Sequence, residues 1–463
     1  MKKTLTLLLT VFMGVSALMG QLPHALEKVT EAEVDYWVIN NLGDFFWLCD
    51  TSSTALDADM DGTADFDSLE AKLDANYRLG ADIVFNPNPQ LVDWNNDGTV
   101  GGSDSLGLWN IGGDPSPNFS GHFDGQYFTI ENVYKRCVNS ERQRVALFGS
   151  VNGCIIENFY LKNFDFSNNE DYGGAIAARA TYGLPNIFRR IKVEGTYDHS
   201  ARSGALHNGG IVGRTKYTDV IECVSIMNGI AAIDGGNRFG ALVGTLGDSS
   251  FIRNSYSVST FAAKEKVGQV VGYYEGTFES AIENCYAAGV VTGADPPDSE
   301  IGSFAGNLQS LVPVSCYWDS DLNAIGVGQP DAAEGVTGLA TTGFSTEANF
   351  VGWDFTSTWE MGTVEGVARP ILQWQALLDK SPAVSVKDID TRQLIQVYPN
   401  PVSTYLTLEN APVNAEYRLI NMVGQTQESG IVRSKRMILN LAKYEQGFYL
   451  LKVGDNVSKI LVK

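Results

Sequence analysis

The stretch Val267–Val291, VGQVVGYYEGTFESAIENCYAAGVV, decides the fold because its two halves recur along the chain. Small residues end similar apolar runs at intervals of 29, 35, 31, 28 and 34 residues, at Gly149, Ala178, Gly213, Gly244, Gly272 and Gly306. A second column has intervals of 32, 32, 32, 30 and 31 residues, at Phe159, Ile191, Cys223, Ser255, Cys285 and Cys316. A period of about 30 residues is typical of a solenoid, in which stacked units bury a shared core.

Each copy contains two short β-type runs separated by turn residues, and no helical apolar period persists through a copy. An apolar residue stands three positions before the first five members of the second column, at Ile156, Phe188, Val220, Ile252 and Ile282, whereas Pro313 breaks the sixth copy. We therefore predict an all-β protein: a right-handed parallel β-helix (β-solenoid) with one coil per copy, followed by a small C-terminal β-sandwich.

The second column also predicts side-chain stacking from coil to coil. Its cysteines are predicted to be buried, inward-facing thiols. A disulfide between Cys285 and Cys316 is the alternative, since adjacent coils bring such residues close together. Asn158, Asn254 and Asn284 stand one position earlier and are predicted to hydrogen-bond along the ladder through their amides.

The copies GGIVG…VIECVSIMNG, FGALVG…FIRNSYSVS and VGQVVG…IENCYAAGVV resemble the GLUG repeat of bacterial surface and secreted proteins. GHFDGQYFTIENVY resembles the coil that precedes such repeats, and the segment from Cys316 to Trp374 resembles their closing segment. The copy at 173–208 matches least well, because Arg190 replaces the ladder asparagine and leaves its register open. The resemblance implies a cap with first coils over 21–140, repeats over 141–320 and a closing segment over 321–376.

The first twenty residues have the features of an export signal. Lys2 and Lys3 precede a mostly apolar stretch, and small residues follow it. We expect a signal peptide over 1–20 and no transmembrane span in the mature chain. The formal charge is −21, and removing Lys2 and Lys3 makes it −23. This balance disfavours nucleic-acid and anionic-membrane partners, which require a basic surface.

Two acidic loops lie in the predicted cap. DWNNDGTVGGSD, residues 93–104, matches the twelve-residue calcium loop, with Gly98 at the sharp turn, and its predicted ligands are Asp93, Asn95, Asp97, Thr99 (by its carbonyl) and Asp104. Aspartate at position twelve resembles the dockerin variant. DADMDGTADFDS, residues 57–68, offers Asp57, Asp59, Asp61 and Asp65, and it resembles thrombospondin type 3 repeats. We predict structural Ca²⁺ in both loops; the alternative is a solvated acidic turn.

A separate module is predicted after a linker over 377–395. From Gln396 to Lys463, eight Lys/Arg against five Asp/Glu give +3, so residues 21–395 carry −26. Tyr398-Pro399-Asn400-Pro401, Gly424, Gly447 before Phe448-Tyr449-Leu450, and the basic last strand resemble the type A C-terminal sorting domain of the type IX secretion system. The resemblance implies a Bacteroidetes-type bacterium, recognition of residues 396–463 by the secretion machinery, and a secreted or outer-surface location.

The sequence contains no zinc-protease, serine-hydrolase or Walker pattern. GGIVGRTK, Gly209–Lys216, resembles a phosphate loop only superficially, because the pattern recurs with Thr, Tyr or Asn in place of Arg214. The carboxylates nearest to equivalent turns, Asp219, Glu222, Asp248 and Glu279, fall out of register. Trp318, Trp353, Trp359 and Trp374 are predicted to be buried in the closing segment rather than to stack on sugars.

The sequence favours a non-enzymatic adhesion or extracellular binding protein with a glycan or protein ligand. The alternative is a carbohydrate-active β-helix enzyme, either a polysaccharide lyase or a glycoside hydrolase. Such an enzyme needs carboxylates clustered across adjacent coils.

Overall fold

The protein is described from a computed structural model. It describes residues 22–378 and 395–463, apart from 23, 53–54, 95, 97–99, 101–106, 114–116, 137–143, 168–170, 182, 200–205, 232–236, 263–264, 293–299, 331–333, 410, 414, 422–424 and 455. The predicted signal peptide over 1–20 and most of the predicted linker lie outside the described residues. By its internal contacts the chain divides into two compact units, Met1–Lys380 and Ser381–Lys463.

The first unit begins with a cap on the solenoid core. Its elements are β1 (Glu27–Glu31), β2 (Val34–Ile39), α1 (Leu42–Cys49), α2 (Leu69–Leu73), β3 (Asn76–Leu79), β4 (Ile83–Val84) and a 3₁₀ turn (Pro89–Leu91). Asn41 starts α1, because its side-chain oxygen accepts a hydrogen bond from the Asp44 amide at 3.1 Å. The buried face of α1, which includes Phe45 and Leu48, joins the solenoid core.

The solenoid makes about 5 turns over residues 122–318, and the protein is mostly β with 8% helix. Its strands, with the two that follow, are β5 (His122–Asp124), β6 (Thr129–Glu131), β7 (Tyr134–Arg136), β8 (Phe148–Ser150), β9 (Ile155–Ser167), β10 (Tyr172–Gly174), β11 (Ala177–Ala180), β12 (Asn186–His199), β13 (Leu206–Gly209), β14 (Val212–Thr215), β15 (Thr218–Ile221), β16 (Val224–Ala231), β17 (Asn237–Gly240), β18 (Val243–Leu246), β19 (Phe251–Arg253), β20 (Tyr256–Ser257), β21 (Thr260–Ala262), β22 (Val267–Gly268), β23 (Val271–Tyr274), β24 (Ala281–Glu283), β25 (Tyr286–Ala287), β26 (Val290–Thr292), β27 (Ala305–Asn307), β28 (Cys316–Asp319), β29 (Val327–Gln329) and β30 (Val336–Leu339).

Strands of successive coils pair in parallel and form three faces. β8, β11, β14, β18, β23, β27 and β29 form one row, and β10, β13, β17 and β22 form a second. The third face belongs to a larger sheet that also includes β1–β4 of the cap. Strands β29 and β30 continue these sheets to Leu339, within the segment predicted to close the solenoid.

Strand pairing confirms the repeat register at positions beside the two predicted columns. The residue before each small-residue position pairs with its equivalent on the next coil, in the order Phe148, Ala177, Val212, Val243, Val271, Ala305 and Val327. The apolar column also pairs as predicted, in the order Ile156, Phe188, Val220, Ile252 and Ile282, and its members are fully buried. The copy at 173–208 keeps this register despite Arg190.

Each coil turns a corner at the residue that precedes the buried ladder residue, and the backbone conformation at this corner explains the recurring asparagine. The backbone there is left-handed in every coil, with φ of 61°, 53°, 54°, 47°, 52° and 51° at Asn158, Arg190, Glu222, Asn254, Asn284 and Ser315. Asparagine tolerates this conformation better than most residues. The predicted amide ladder is confirmed for one pair, since Asn284 Nδ2 donates to Asn254 Oδ1 at 3.3 Å.

The ladder cysteines are buried free thiols, as predicted for Cys223, Cys285 and Cys316. The alternative of a Cys285–Cys316 disulfide is wrong, because both sulfurs remain unbonded to each other. Each thiol instead donates to a carbonyl oxygen two residues earlier, such as that of Glu283 at 3.2 Å from Cys285 Sγ. Burial raises the pKa of Cys285 well above its ordinary value, so this thiol stays protonated.

The closing segment packs against the outer side of the third face. It contains 3₁₀ turns (Thr341–Ser345, Glu347–Asn349 and Gln373–Leu377) and an antiparallel pair, β31 (Trp359–Val364) and β32 (Val367–Leu372). Trp353, Trp359 and Trp374 are buried with Tyr256 and Tyr286 of the coils, which confirms their predicted burial. Trp318 is half-buried, and its indole donates to the carbonyl of Asn323 at 3.2 Å.

The second unit holds two antiparallel sheets around one core. Its strands are β33 (Gln396–Tyr398), β34 (Tyr405–Glu409), β35 (Glu416–Asn421), β36 (Thr426–Ile431), β37 (Met437–Asn440), β38 (Gly447–Val453) and β39 (Asn456–Val462). One sheet has the order β33-β34-β37 and the other β36-β35-β38-β39. Leu406 and Leu439 of the first sheet share a buried cluster with Leu419, Leu451 and Ile460 of the second.

Candidate functional site

The acidic loop 57–68 brings three of its predicted ligands together. Carboxylate oxygens of Asp57, Asp59 and Asp61 lie within 4.8 Å of one another. Asp57 Oδ2 accepts the Gly62 amide at 3.0 Å, and Gly62 has φ of 91°, which favours glycine. Asp57 Oδ1 is buried and has no hydrogen-bond partner among the described residues. An oxygen in this position can accept a cation.

The other two positions of this loop have structural contacts. Asp65 Oδ2 accepts the Ala58 amide at 2.8 Å, and the Asp65 amide donates to the Leu56 carbonyl at 2.9 Å. Ser68 caps α2 by accepting the Ala71 amide at 3.2 Å. The structure therefore groups three carboxylates and uses Asp65 to hold the start of the loop.

The loop over 93–104 falls mostly outside the described residues. Asn95, Asp97, Thr99 and Asp104 are among those left out, and Asp93 is described. Within the loop, Asn96 Oδ1 accepts the Leu22 amide at 2.7 Å, and the Trp94 indole donates to the Pro89 carbonyl at 2.9 Å. This part of the loop is thus anchored to the cap.

A third group of ligand-type side chains, which the sequence did not reveal, lies on the large sheet. His122 Nε2 is 2.9 Å from one Glu157 oxygen, and Arg189 Nη2 is 2.6 Å from the other. Asn158 Nδ2 donates to the neighbouring Asp124 at 2.9 Å. Burial raises the pKa of Glu157, but His122 and Arg189 outweigh it and hold the pKa at about 2. Protein donors thus occupy these oxygens, which favours an ion-pair network over a metal site.

Two rows of strands approach each other so closely that only glycine fits between them. A β-carbon added to Gly213 would lie 2.6 Å from the His207 carbonyl oxygen, and one added to Gly244 would lie 2.4 Å from that of Asn208. We call this line of contact the glycine seam; it is formed by Gly174, Gly209, Gly240 and Gly268 on one row and by Gly213, Gly244, Gly272 and Gly306 on the other. The glycines are there because the backbones touch, so the phosphate-loop interpretation of Gly209–Lys216 has no support in the geometry.

Side chains from both rows meet across the seam at what we call its mouth. The rings of Tyr172 and His207 stack with centroids 5.0 Å apart and an interplanar angle of 5°. His207 Nδ1 lies 2.7 Å from Thr245 Oγ1, which belongs to the opposite row. The guanidinium of Arg238 lies 4.3 Å from the ring centroid of Tyr273. The mouth therefore presents aromatic rings held in place by cationic and hydroxyl groups.

Arginine is concentrated at the mouth. Glu275 bridges two of these residues, 2.6 Å from Arg214 Nε and 2.9 Å from Arg238 Nη1, and these side chains are 24% and 22% exposed. Burial, with a smaller contribution from the charges of Arg238, Arg214 and Arg179, lowers the pKa of His207 to about 3. His207 is therefore neutral, and the field around it is positive in a chain whose formal charge is −21.

The carboxylates considered for catalysis lie in separate contacts. Asp219 is 3.8 Å from Arg253, Glu222 is 3.7 Å from Arg190, and Asp248 is 3.1 Å from Lys216. Glu279 is exposed. The structure thus uses three of them in ion pairs with neighbouring coils.

One pattern in the sequence marks the seam mouth. The position after the glycine of GGIVG carries Arg214, and the equivalent positions carry Thr245, Tyr273 and Asn307. Because the residue type changes from coil to coil, the pattern is not that of a phosphate loop. The same change indicates that the side chain at this position is not required by the repeat itself. The partners on the other row, Tyr172, His207 and Arg238, each stand seven residues before the varying column, but their contact with it across the seam becomes visible only in the fold.

Comparisons with known proteins agree with the fold and identify the second unit. Residues 396–463 match the family described as "Secretion system C-terminal sorting domain". A "Putative Gly-rich membrane protein" of Evansella cellulosilytica is 31% identical over 114 residues, which are 24% of this chain and 13% of that protein. The chain therefore spans a small part of that relative. No GLUG-repeat family was matched.

One solved structure shares the fold of most of the chain. It is described as a "putative immunoglobulin A1 protease" from Bacteroides ovatus, with a TM-score of 0.51 and 19% identity, covering 73% of this chain and 92% of that one. At this identity the likeness shows a common fold alone. Among the described helices, none has the length and apolar character to cross a membrane.

The second unit therefore settles where the protein acts. A sorting domain implies interaction with the machinery that exports it. Residues 396–463 form a type IX sorting domain, and the chain is a secreted or outer-surface protein of the Bacteroidetes.

Proposed function

We propose that this protein is a non-enzymatic extracellular binding or adhesion protein whose ligand, an anionic polysaccharide, contacts the mouth of the glycine seam. The observation that carries the proposal is the row of arginine and aromatic side chains across successive coils. Guanidinium groups pair with carboxylate or sulfate groups, and tyrosine rings stack on the faces of sugars. We also propose that the coils are of the GLUG type, on the sequence features quoted above.

The spacing of the coils suits an extended polymer. Equivalent residues of adjacent coils lie about 4.8 Å apart, so side chains on several coils can contact consecutive sugar units. Arg214 and Arg238 come from successive coils and are joined by Glu275 from a third. A ligand carboxylate or sulfate can share these guanidinium groups with Glu275 without removing it.

The proposal is tested by calorimetric titration of the purified full chain with polygalacturonate, heparin and a neutral glucan. We expect the anionic polymers to bind, more weakly at high salt. Arg214→Ala and Arg238→Ala should each weaken binding about tenfold, since each removes a charge-assisted contact. Polygalacturonate and heparin separate carboxylate from sulfate recognition.

Arg253→Ala is the matched control. Arg253 is 26% exposed, pairs with Glu283 at 3.0 Å and lies 4.3 Å from the Phe251 ring, yet it belongs to the large sheet. Equal losses in the seam and control variants, or no binding to either anionic polymer, would overturn the proposal. Release of reducing ends or unsaturated sugars from the bound polymer would instead support the carbohydrate-active enzyme.

We further propose that Asp57, Asp59 and Asp61 hold a structural calcium ion. The three carboxylates fit a hard cation, and the buried, unpartnered oxygen of Asp57 supports its presence. Calcium would neutralise the repulsion among these groups and order the cap. The ligand set predicted over 93–104 remains part of this proposal.

Calcium binding is tested by melting the full chain with calcium and with excess chelator. We expect a higher melting temperature with calcium, and Asp59→Asn should reduce that difference. Asp67→Asn, at an exposed aspartate outside the group, is the control. An identical melting temperature in calcium and in chelator would rule out a stabilising ion.

A further inference from the structure

We infer that the secretion machinery binds the outer face of the three-stranded sheet β33-β34-β37 in the sorting domain. This inference rests on the sorting-domain match and is independent of the polysaccharide proposal. It identifies the surface within residues 396–463 that makes the contact, namely the side chains of Tyr398, Tyr405 and Ile438, which we call the apolar face.

The strand register places these side chains together. Tyr398 pairs with Thr407, and Thr407 pairs with Ile438, so the three residues share one side of the sheet. Tyr405 lies two residues before Thr407 on the same strand and therefore also on that side. Leu406, Leu408 and Leu439 occupy the opposite side and are buried in the core.

The apolar face is unusually exposed for large side chains. Tyr398 is 41% exposed, Tyr405 58% and Ile438 58%. Large apolar side chains grouped on a small domain mark interaction sites, and tyrosine is prominent among residues that dominate binding. Polar groups border them, since Tyr398 donates to Glu409 at 2.9 Å and Glu409 is 3.3 Å from Arg436.

The other sheet has a different character. Arg418, Lys452 and Lys459 stand at positions that alternate with its buried residues, and Arg418 pairs with Lys452 in the strand register. Lys459 lies 4.6 Å from the ring centroid of Phe448. Its outer side therefore mixes these cationic groups with single exposed apolar residues, Phe448 and Ile431, which lie on different strands. The apolar face differs in grouping three large side chains around one position, so it gains more from being covered by a partner.

The occupant is the secretion machinery because a sorting domain acts by being bound by it. A second copy of the chain is the competing occupant. The two differ in their consequences: the machinery requires the apolar face for export, whereas a self-contact requires it for dimer formation.

The experiment expresses the full chain in a bacterium with a type IX system and compares the extracellular with the periplasmic fraction. Tyr405→Ser together with Ile438→Ser should lower the extracellular fraction about tenfold or more, with the protein retained in the periplasm. Ile431→Ser is the matched control, because Ile431 is 51% exposed in the same domain but lies on the other sheet. Melting curves of the purified full chains establish that both variants fold.

Secretion of the double variant at the wild-type level overturns the inference, as does an equal loss in the Ile431→Ser control. Concentration-dependent dimerisation of the wild type that the double variant lacks, combined with normal secretion, would assign the face to a second copy. Tyr405→Phe with Ile438→Leu keeps the face apolar, so this variant should be exported at the wild-type level. That result separates the chemistry of the face from a general effect of substitution.

Discussion

At the scale of single residues, the left-handed corners set the stability of each coil. Asn284 has φ of 52° and donates its amide to Asn254. Asn284→Ala should destabilise the solenoid by about 1–2 kcal/mol, because alanine disfavours this conformation. Asn284→Gly loses the same amide but tolerates the backbone, so it should retain more stability in thermal melts. Equal melting temperatures for the two variants would contradict this account.

The pH dependence of stability should reveal Glu157. Its pKa is about 2 in the fold against about 4.5 when unfolded, so its stabilising contribution is complete above pH 4.5 and is lost as the pH falls towards 2. The lost stability is on the order of 3 kcal/mol, since one unit of pKa corresponds to about 1.4 kcal/mol. The wild-type melting temperature should therefore fall further between pH 5 and pH 3 than that of Glu157→Gln. Parallel pH profiles would show that other carboxylates control acid unfolding.

At the scale of elements, the glycine seam determines how two rows of strands pack. Gly244→Ala places a β-carbon 2.4 Å from a backbone oxygen, which must force the rows apart. We expect a loss of several kcal/mol, measured by denaturant unfolding. Gly343→Ala is the control, since its nearest neighbours would lie 3.5 Å away, an ordinary contact, and its effect should stay within about 0.5 kcal/mol.

The columns of the solenoid could be predicted from the sequence because every coil buries the same positions. Val220 and Ile252, for example, are 32 residues apart in the sequence and pair directly with each other on adjacent coils. The seam mouth could not be predicted in this way, since its partners belong to two strands of a coil separated by a turn. Arg214 and Tyr172 meet because glycines let the rows touch, and the repeat spacing alone does not show which strands touch.

At the scale of the whole molecule, the chain joins a long solenoid to a domain that directs its export. A chain lacking residues 396–463 should accumulate in the periplasm with its solenoid folded, because the region matched to the sorting family is gone. Immunoblots of medium and periplasm measure the distribution. A chain lacking only residues 381–390 keeps that region and should still be exported. Normal extracellular yield of the first truncation would contradict an export role for this domain.

The closing segment has a mechanical consequence. Its Trp374 indole donates to the Glu222 carbonyl at 3.0 Å, Arg369 donates to the Ala288 carbonyl at 2.9 Å, and Trp353 donates to the Ser315 carbonyl at 2.9 Å. A stack of coils joined only to nearest neighbours can peel from its free end, one rung at a time. The closing segment bonds to several coils between Glu222 and Ser315, so a stretching force on one of these coils is distributed over the others. We therefore expect these coils to unfold together under force.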